Sequence, residues 1–302
     1  MSSLKDCISI SVFDIFKAGP GPSSSHTIGP MRASLLFREE METLDPPLKD
    51  LDLKVHLFGS LSLTGMGHGT HRAILGGLLG WEPETCDCDA LNGLLKSLDT
   101  VYDLPLGSGY IRFSGRDIIF ENQEGSNLPF ANTLRFILRY KDRLILEKEY
   151  YSIGGGFIQC KGEVLEKPLS PPHLYWNMTS LQELIRKTGL SLEQVVLENE
   201  SALTGKDKAD IQKQTDHILD AMHDSVANGL SKDGLLPGSI GLHRKAKVLR
   251  ENALKMSKES GRFLGLLNAY AMAASEENAD GRRVVTAPTS GASGVLPGVV
   301  YM

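Results

Sequence analysis

The feature that most limits what this chain can fold into is a change of rhythm across a proline-bearing seam. Ahead of the seam, Leu51-Asp-Leu-Lys-Val-His-Leu57 alternates apolar and polar side chains, the period of a strand with one buried face. Behind it, Ile218, Leu219, Met222 and Val226 recur at helical spacing. The seam itself, residues 161–178, holds Pro168, Pro171 and Pro172 and shows little period. The chain therefore reads as α+β: an N-terminal α+β domain with an antiparallel sheet over 1–160, a linker over 161–178, and an all-α domain over 179–302. At 302 residues it is long enough for about two domains with their own cores.

Within the first part, Val12, Phe13, Ile15 and Phe16 suggest a short helix docked by its apolar side. A loop of Gly, Pro and Ser follows over 19–27. Gly29-Pro30 then opens a helix carrying Met31, Leu35, Leu36 and Met41, since Pro suits the first helical position. Pro46-Pro47 breaks the chain. A Gly-rich turn over 65–69 leads into a helix from Ala73 to Leu79. Residues 109–120 resemble a hairpin around Gly115-Arg116, and 134–151 two strands turning at Lys141-Asp142-Arg143. In the second part, Thr179-Ser-Leu-Gln182 and Ser191-Leu-Glu-Gln194 have the form of capping boxes. Helices are expected over 211–226, 246–256 and 263–274. Ala287-Pro-Thr-Ser-Gly-Ala-Ser293 reads as a ligand loop feeding a buried apolar helix, and the chain is expected to be truncated at Met302.

Composition excludes several classes. The chain is 41% hydrophobic and 23% charged with a net charge of −5, and it has no basic run to bind nucleic acid. No apolar stretch of about 18 residues exists to span a membrane. The first residues carry no apolar signal core, which points to the cytoplasm. Cys7, Cys86, Cys88 and Cys160 read as structural thiols, because the Cys86-Asp-Cys88 spacing is not the C-x-x-C of common metal sites.

Four segments could carry chemistry. Gly21-Pro-Ser-Ser-Ser-His-Thr27 offers Ser23, Ser24, Ser25, His26 and Thr27 just ahead of a helix start, where hydroxyls and backbone N–H groups suit an anion. The plain alternative is a surface loop capping that helix. His68 lies between Gly67 and Gly69, which allow close backbone approach, and its titration range suits a general base; His71 is one turn on and could line the same face. The bland counterpart is a histidine making local bonds. Ser152 and Gly154-Gly-Gly156 could bring backbone against a ligand, or simply end a strand. Asn199 sits between two glutamates on a helix that could equally be a solvated face. Thr289 and Ser290 follow Pro288 in a turn that presents hydroxyls ahead of a helix.

Together these segments resemble the bacterial iron–sulfur-dependent L-serine dehydratases. The resemblance runs from Ser11-Val-Phe-Asp-Ile-Phe-Lys17 and Gly21-Pro-Ser-Ser-Ser-His-Thr-Ile-Gly-Pro-Met31 through Gly59-Ser-Leu-Ser-Leu-Thr-Gly65 and Tyr150-Tyr-Ser-Ile-Gly-Gly-Gly-Phe157 to Val284-Val-Thr-Ala-Pro-Thr289. It implies a β domain followed by a catalytic α domain, and conversion of L-serine to pyruvate and ammonia with a [4Fe–4S] cluster as Lewis acid. It implies His68 as base, Ser23 to Thr27 on the carboxylate side, Ser152 and Gly154, Gly155 and Gly156 at the domain junction, and Asn199, Thr289 and Ser290 from the helical domain. His71 stands where the family tends to show Asp, and Ser290 where Asn is usual. The cluster cysteines are expected beyond Met302, so no metal ligand is assigned here and these residues alone are expected to be inactive. A homodimer is the default expectation for assembly. Two other readings are a pyridoxal-phosphate lyase, for which no Schiff-base lysine stands out, and a non-catalytic small-molecule-binding module.

Overall fold

The computed structural model describes residues 7–44, 50–121, 128–163 and 170–302. Pro46-Pro47 and Pro168 lie outside the described residues. In chain order the elements are α1 (Val12–Ile15), β1 (Ala18–Pro20), a π-type turn (Ser24–Ile28), α2 (Gly29–Thr43), β2 (Leu51–Gly59), α3 (Ser60–Thr64), α4 (Thr70–Leu78) and α5 (Cys88–Gly93). Next come β3 (Val101–Leu106), β4 (Gly109–Ser114), β5 (Ile118–Phe120), β6 (Asn132–Tyr140), β7 (Arg143–Gly154) and β8 (Phe157–Cys160). The chain continues with α6 (Met178–Thr188), α7 (Leu192–Thr204), α8 (Lys208–Ser231), α9 (Ala246–Leu254), α10 (Glu259–Ala279), β9 (Arg283–Val285) and α11 (Val295–Tyr301). The fold class is α+β. Among the described residues no helix is long and apolar enough to cross a membrane.

Packing groups these elements into two compact units. One joins residues 1–16 to 164–220, and the other joins 17–163 to 221–302. A boundary drawn between 160 and 179 thus describes the order of the chain and not its grouping by contact. In the smaller unit, the start of α1 is capped from α7: Glu200 accepts from the Val12 N–H at 2.9 Å and from the Ser11 hydroxyl. Val12, Phe13, Ile15 and Phe16 are half-buried there. The capping box at Ser191–Gln194 forms, but the box that starts α6 is built two residues earlier than expected, from Asn177 and Ser180. Asn177 has the better short acceptor for the N–H two or three residues on.

The larger unit is built on a five-stranded sheet in the order β5-β2-β6-β7-β8. β2, β6, β7 and β8 pair antiparallel, whereas β5 runs parallel to β2 at one edge. The expected hairpin over 109–120 is therefore not formed. β4 pairs instead with β3 across Gly107, and Gly115 begins a short 3-10 turn that sends β5 to the main sheet. The apolar pattern of 109–120 suits two buried strands, but it does not say which partners they take. The pair at 134–151 turns at Lys141 and Asp142 as expected, both at positive φ.

Helices α2 and α4 cover one face of the sheet. Met31, Phe37 and Met41 from α2 and Ile74, Leu75 and Leu78 from α4 join Val55, Leu57, Phe136, Leu138 and Tyr150 in one buried core. Leu35 and Leu36, expected on that face, lie half-buried and exposed, and Ala33, Ser34 and Phe37 replace them. Close helix approach depends on Gly77, where a Cβ would lie 2.2 Å from the Met31 carbonyl. The C-terminal part is not wholly helical. β9 pairs antiparallel with β1, matching Ala18 to Val285 and Pro20 to Arg283, and so ties the two ends of this unit together. α11 is also not the buried apolar helix expected: Val295, Val299 and Val300 are 67%, 55% and 47% exposed, while Pro297 and Gly298 face inward. Gly298 is held there because a Cβ would fall 2.7 Å from the Ala271 nitrogen.

Phe136 is fully buried, stacks on Phe37 at 4.8 Å and meets the edge of Tyr150 at 5.7 Å. Phe136→Ala is expected to destabilise this unit by about 3–5 kcal/mol, measured by urea unfolding; a loss under about 1 kcal/mol would contradict this account of the core.

Candidate active site

The serine-rich segment is not a loose loop. Ser23 accepts the His26 N–H on its Oγ at 3.2 Å and the Thr27 N–H on its carbonyl at 2.9 Å. The Gly29 N–H reaches back five residues to the Ser24 carbonyl, closing a π-type turn that runs directly into α2. The next carbonyl, of Ser25, faces a gap in this pattern, because the residue five positions on is Pro30, which has no N–H. Ser152 fills it. Its buried hydroxyl donates to the Ser25 carbonyl at 2.8 Å. Gly29 makes room for that side chain, since a Cβ there would lie 2.3 Å from Ser152 Oγ.

The glycine triplet lies against the same turn. Gly154, Gly155 and Gly156 have φ of 100°, 60° and 77°, conformations that few residues other than glycine adopt, and they carry the chain from β7 to β8. A Cβ on Gly156 would press on Ile28 at 3.0 Å, and one on Gly155 would come 3.4 Å from the Pro288 carbonyl. The triplet is thus a hairpin turn packed between two walls. It does not open a helix, the setting expected of a phosphate-binding loop. Beyond Pro288, Thr289 is exposed, while Ser290 is buried with no hydrogen-bond partner for its hydroxyl among the described residues. The 286–290 segment is held by the Thr286 N–H donating to the Lys17 carbonyl at 2.9 Å.

His68 sits at the other side of the turn. Thr27 Oγ1 donates to the His68 carbonyl at 2.9 Å, and Thr70 Oγ1 donates to the His26 carbonyl at 2.6 Å, so each histidine's backbone is held by a threonine of the opposite segment. His68 Nδ1 lies 2.9 Å from the Thr64 carbonyl. A carbonyl only accepts, so Nδ1 carries a proton, and the neutral tautomer that fits this contact has its lone pair at Nε2. The His26 ring lies 4.7 Å from it, centre to centre. His26 is set between Ser25 Oγ at Nδ1 and Ser60 Oγ at Nε2, both at 3.0 Å. Burial, with the neighbouring His68 next, holds the His26 pKa below its usual value. This favours a neutral imidazole beside His68.

His71 does not share this face. It is buried, and burial followed by the charge of Arg72 pushes its pKa down to about 4. The reason is Gly69, left-handed at φ 67°, which separates His68 from the helix starting at Thr70 and breaks the expected phase. The residue that reaches the cavity is Arg72. An open pocket with about 420 Å³ of empty space, part of it shared with solvent, is lined by Thr27, His68, Gly69, Arg72, Asn92 and Asp280, among others. Ser23, Ser24 and Ser25 form the turn behind this wall and are not in the lining itself.

Two family models match the chain. One described as "Serine dehydratase beta chain" covers residues 11–163, and one described as "Serine dehydratase alpha chain" covers 187–302. The chain belongs to the serine dehydratase family. It is 37% identical over 299 residues to L-serine dehydratase 2 of Escherichia coli (strain K12), an alignment spanning 96% of this chain and 65% of the relative. It is 35% identical over 311 residues to an L-serine dehydratase of Haemophilus influenzae (96% and 65%), and 34% over 307 residues to one of Streptomyces coelicolor (97% and 66%). The chain spans about 65% of the length of these curated relatives.

The iron–sulfur cluster that the sequence resemblance implies would need cysteine thiolates. Cys86 and Cys88 are buried side by side, where their mutual hydrogen bond raises the Cys86 pKa and lowers that of Cys88. Cys160 lies on β8, and Cys7 belongs to the smaller unit. Among the described residues no three His, Cys, Asp or Glu side chains converge as a metal set. An iron–sulfur cluster needs its cysteine thiolates gathered in space, so the four cysteines of this chain do not fit one. Asn199 lies in the smaller unit, and both ends of its amide are engaged by the His173 backbone at 2.9 Å. Arg72, Asn92 and Asp280 were not singled out from the sequence. The available signal was Arg72 four residues after His68, obscured by the helix start between them.

Ser152→Ala removes the one donor that replaces the missing Pro30 N–H. It is expected to lower stability by about 1–3 kcal/mol in chemical unfolding, and an unchanged midpoint would show that water meets the Ser25 carbonyl equally well. Anaerobic reconstitution of the 302-residue chain is expected to give iron and sulfide well below one cluster per chain; a stoichiometric [4Fe–4S] spectrum would contradict the thiol geometry.

Proposed function

We propose that this chain is the substrate-binding and proton-abstracting part of an L-serine ammonia-lyase, a cytoplasmic enzyme converting L-serine to pyruvate and ammonia. The observation that carries the reading is His68, whose Nε2 lone pair is left available beside a pocket of amino-acid size while Thr64 and Thr27 fix its ring and backbone. Membership of the family, and relatives named L-serine dehydratase, support the substrate.

In this reading the amino acid enters the pocket and His68 takes the Cα proton at Nε2. The hydroxyl leaves as water, giving aminoacrylate, which becomes the imine and hydrolyses to pyruvate and ammonia. Ser23, Ser24, Ser25 and His26 hold the wall that places Thr27. Ser152 and Gly154 to Gly156 brace that wall, and Thr289 and Ser290 follow Pro288, whose carbonyl lies against Gly155. Asn199 is assigned to substrate by the resemblance alone. The cofactor of the reading is a [4Fe–4S] cluster, whose ligands are not the four cysteines present here.

The test is L-serine-dependent pyruvate formation by a polypeptide carrying this chain together with the portion of its relatives that it does not span. Pyruvate and ammonia are expected in equal amounts, and their absence from a folded, cluster-loaded protein would overturn the assignment. His68→Ala is expected to lower kcat by roughly 10²–10⁴-fold with cluster content unchanged; near-normal kcat would remove His68 from the reaction.

A further inference from the structure

The pocket's charges are unevenly matched. Asp280 lines it, but its carboxylate already receives Arg244 at 2.8 Å and Arg282 at 3.1 Å. Arg244 is in turn paired with the buried Glu277 at 2.8 Å, which Lys232 also reaches at 2.7 Å. Arg72 differs: it lines the same pocket and makes no ion pair among the described residues. The cavity therefore offers one arginine whose charge is not met by a carboxylate.

The guanidinium is held in one orientation. Arg72 Nη1 donates to the Asn92 carbonyl at 3.3 Å and to Asn92 Oδ1 at 3.2 Å. Asn92 is itself fixed, because its Nδ2 donates to the carbonyls of Asp280 at 3.1 Å and Gly281 at 3.5 Å. Gly281 admits it closely, since a Cβ there would lie 2.9 Å from Asn92 Oδ1. With Nη1 engaged, Nε–H and the Nη2 hydrogens remain, and together they form the side-on fork that grips a carboxylate with two parallel bonds. That edge lies against Gly69: the nearest atoms to a Cβ built there are Arg72 Nε at 3.8 Å and Cζ at 3.9 Å. Gly69 directly follows His68 in the chain.

We infer that Arg72, oriented by Asn92, binds the α-carboxylate of the substrate and so sets the pocket's selectivity for free amino acids over their amides. The carboxylate seat stands on the pocket geometry, while the identity of the amino acid rests on the proposed lyase reading. A carboxylate on the Nε–Nη2 edge would sit beside Gly69 and direct the attached Cα toward the neighbouring His68. This moves the anion seat from the serine-rich turn, whose hydroxyls bond among themselves and to His26, to the first turn of α4. It makes Arg72 a binding residue and Asn92 a positioning one.

The experiment is calorimetric titration of the full 302-residue chain, wild type and the Arg72→Gln and Arg72→Lys variants, with L-serine, L-serinamide and glycolate. Circular dichroism melts verify that each variant is folded. The wild type is expected to bind L-serine at least roughly tenfold more tightly than L-serinamide. Arg72→Gln should bring L-serine down to the serinamide level and abolish glycolate binding. Arg72→Lys should keep part of the preference, because it retains the charge but not the fork. A folded Arg72→Gln protein with wild-type preference for L-serine would overturn the inference and leave the lyase reading standing. Glycolate binding lost in Arg72→Gln, with no L-serine binding in the wild type, would uphold the carboxylate seat and count against serine as the substrate. No carboxylate binding in the folded wild type would overturn the inference.

Discussion

The hydroxyl of Ser152 on the carbonyl of Ser25 is the contact on which the arrangement of this site depends. Pro30 begins α2 in a favourable position, but it leaves a part-buried carbonyl of the preceding turn without its donor. A strand residue from the middle of the chain supplies that donor, and a glycine gives it access. The turn so closed presents Thr27 to the His68 carbonyl and His26 to the His68 ring. One missing N–H is thereby coupled to the placement of His68. The glycine triplet packs between the same turn and the Pro288 carbonyl, and β1 with β9 keeps the far end of the chain in place.

Electrostatics divide the unit into two kinds of charge. Arg244, Glu277, Lys232, Asp280 and Arg282 form a connected network of largely buried ion pairs that meets the pocket at Asp280. Removing one member would leave an uncompensated buried charge, so such a network fixes geometry more than it adds stability. Arg72 stands apart, anchored by neutral Asn92 groups that orient it without quenching its charge. A binding site for an anionic ligand needs this combination of a rigid donor and a free charge.

Much of this was legible in the chain. The period of 51–57 and the turn at 141–142 gave β2, β6 and β7, and the Ser191 box gave the start of α7. The segments around Ser23, Gly154 and His68 were recognisable, and they do come together within one compact unit. What failed to show was partner choice and phase. The apolar residues of 109–120 suit either a hairpin or two strands with separate partners, and only tertiary packing decides between them. A single left-handed glycine, Gly69, rotates His71 into the core and Arg72 into the pocket, a change that residue spacing does not reveal. The exposed valines of α11 read as buried because apolarity in a short helix does not state which side is covered.

The central claim is that the fold holds His68, which lines the pocket, in the neutral tautomer with its proton on Nδ1. Nitrogen-15 correlation spectra of the ring, recorded on the folded chain with the imidazole neutral, report this directly. The account predicts a protonated Nδ1 and a pyridine-like Nε2 for His68. A dominant Nε2–H tautomer would mean that Thr64 does not orient the ring, and the assignment of the base would fall with it.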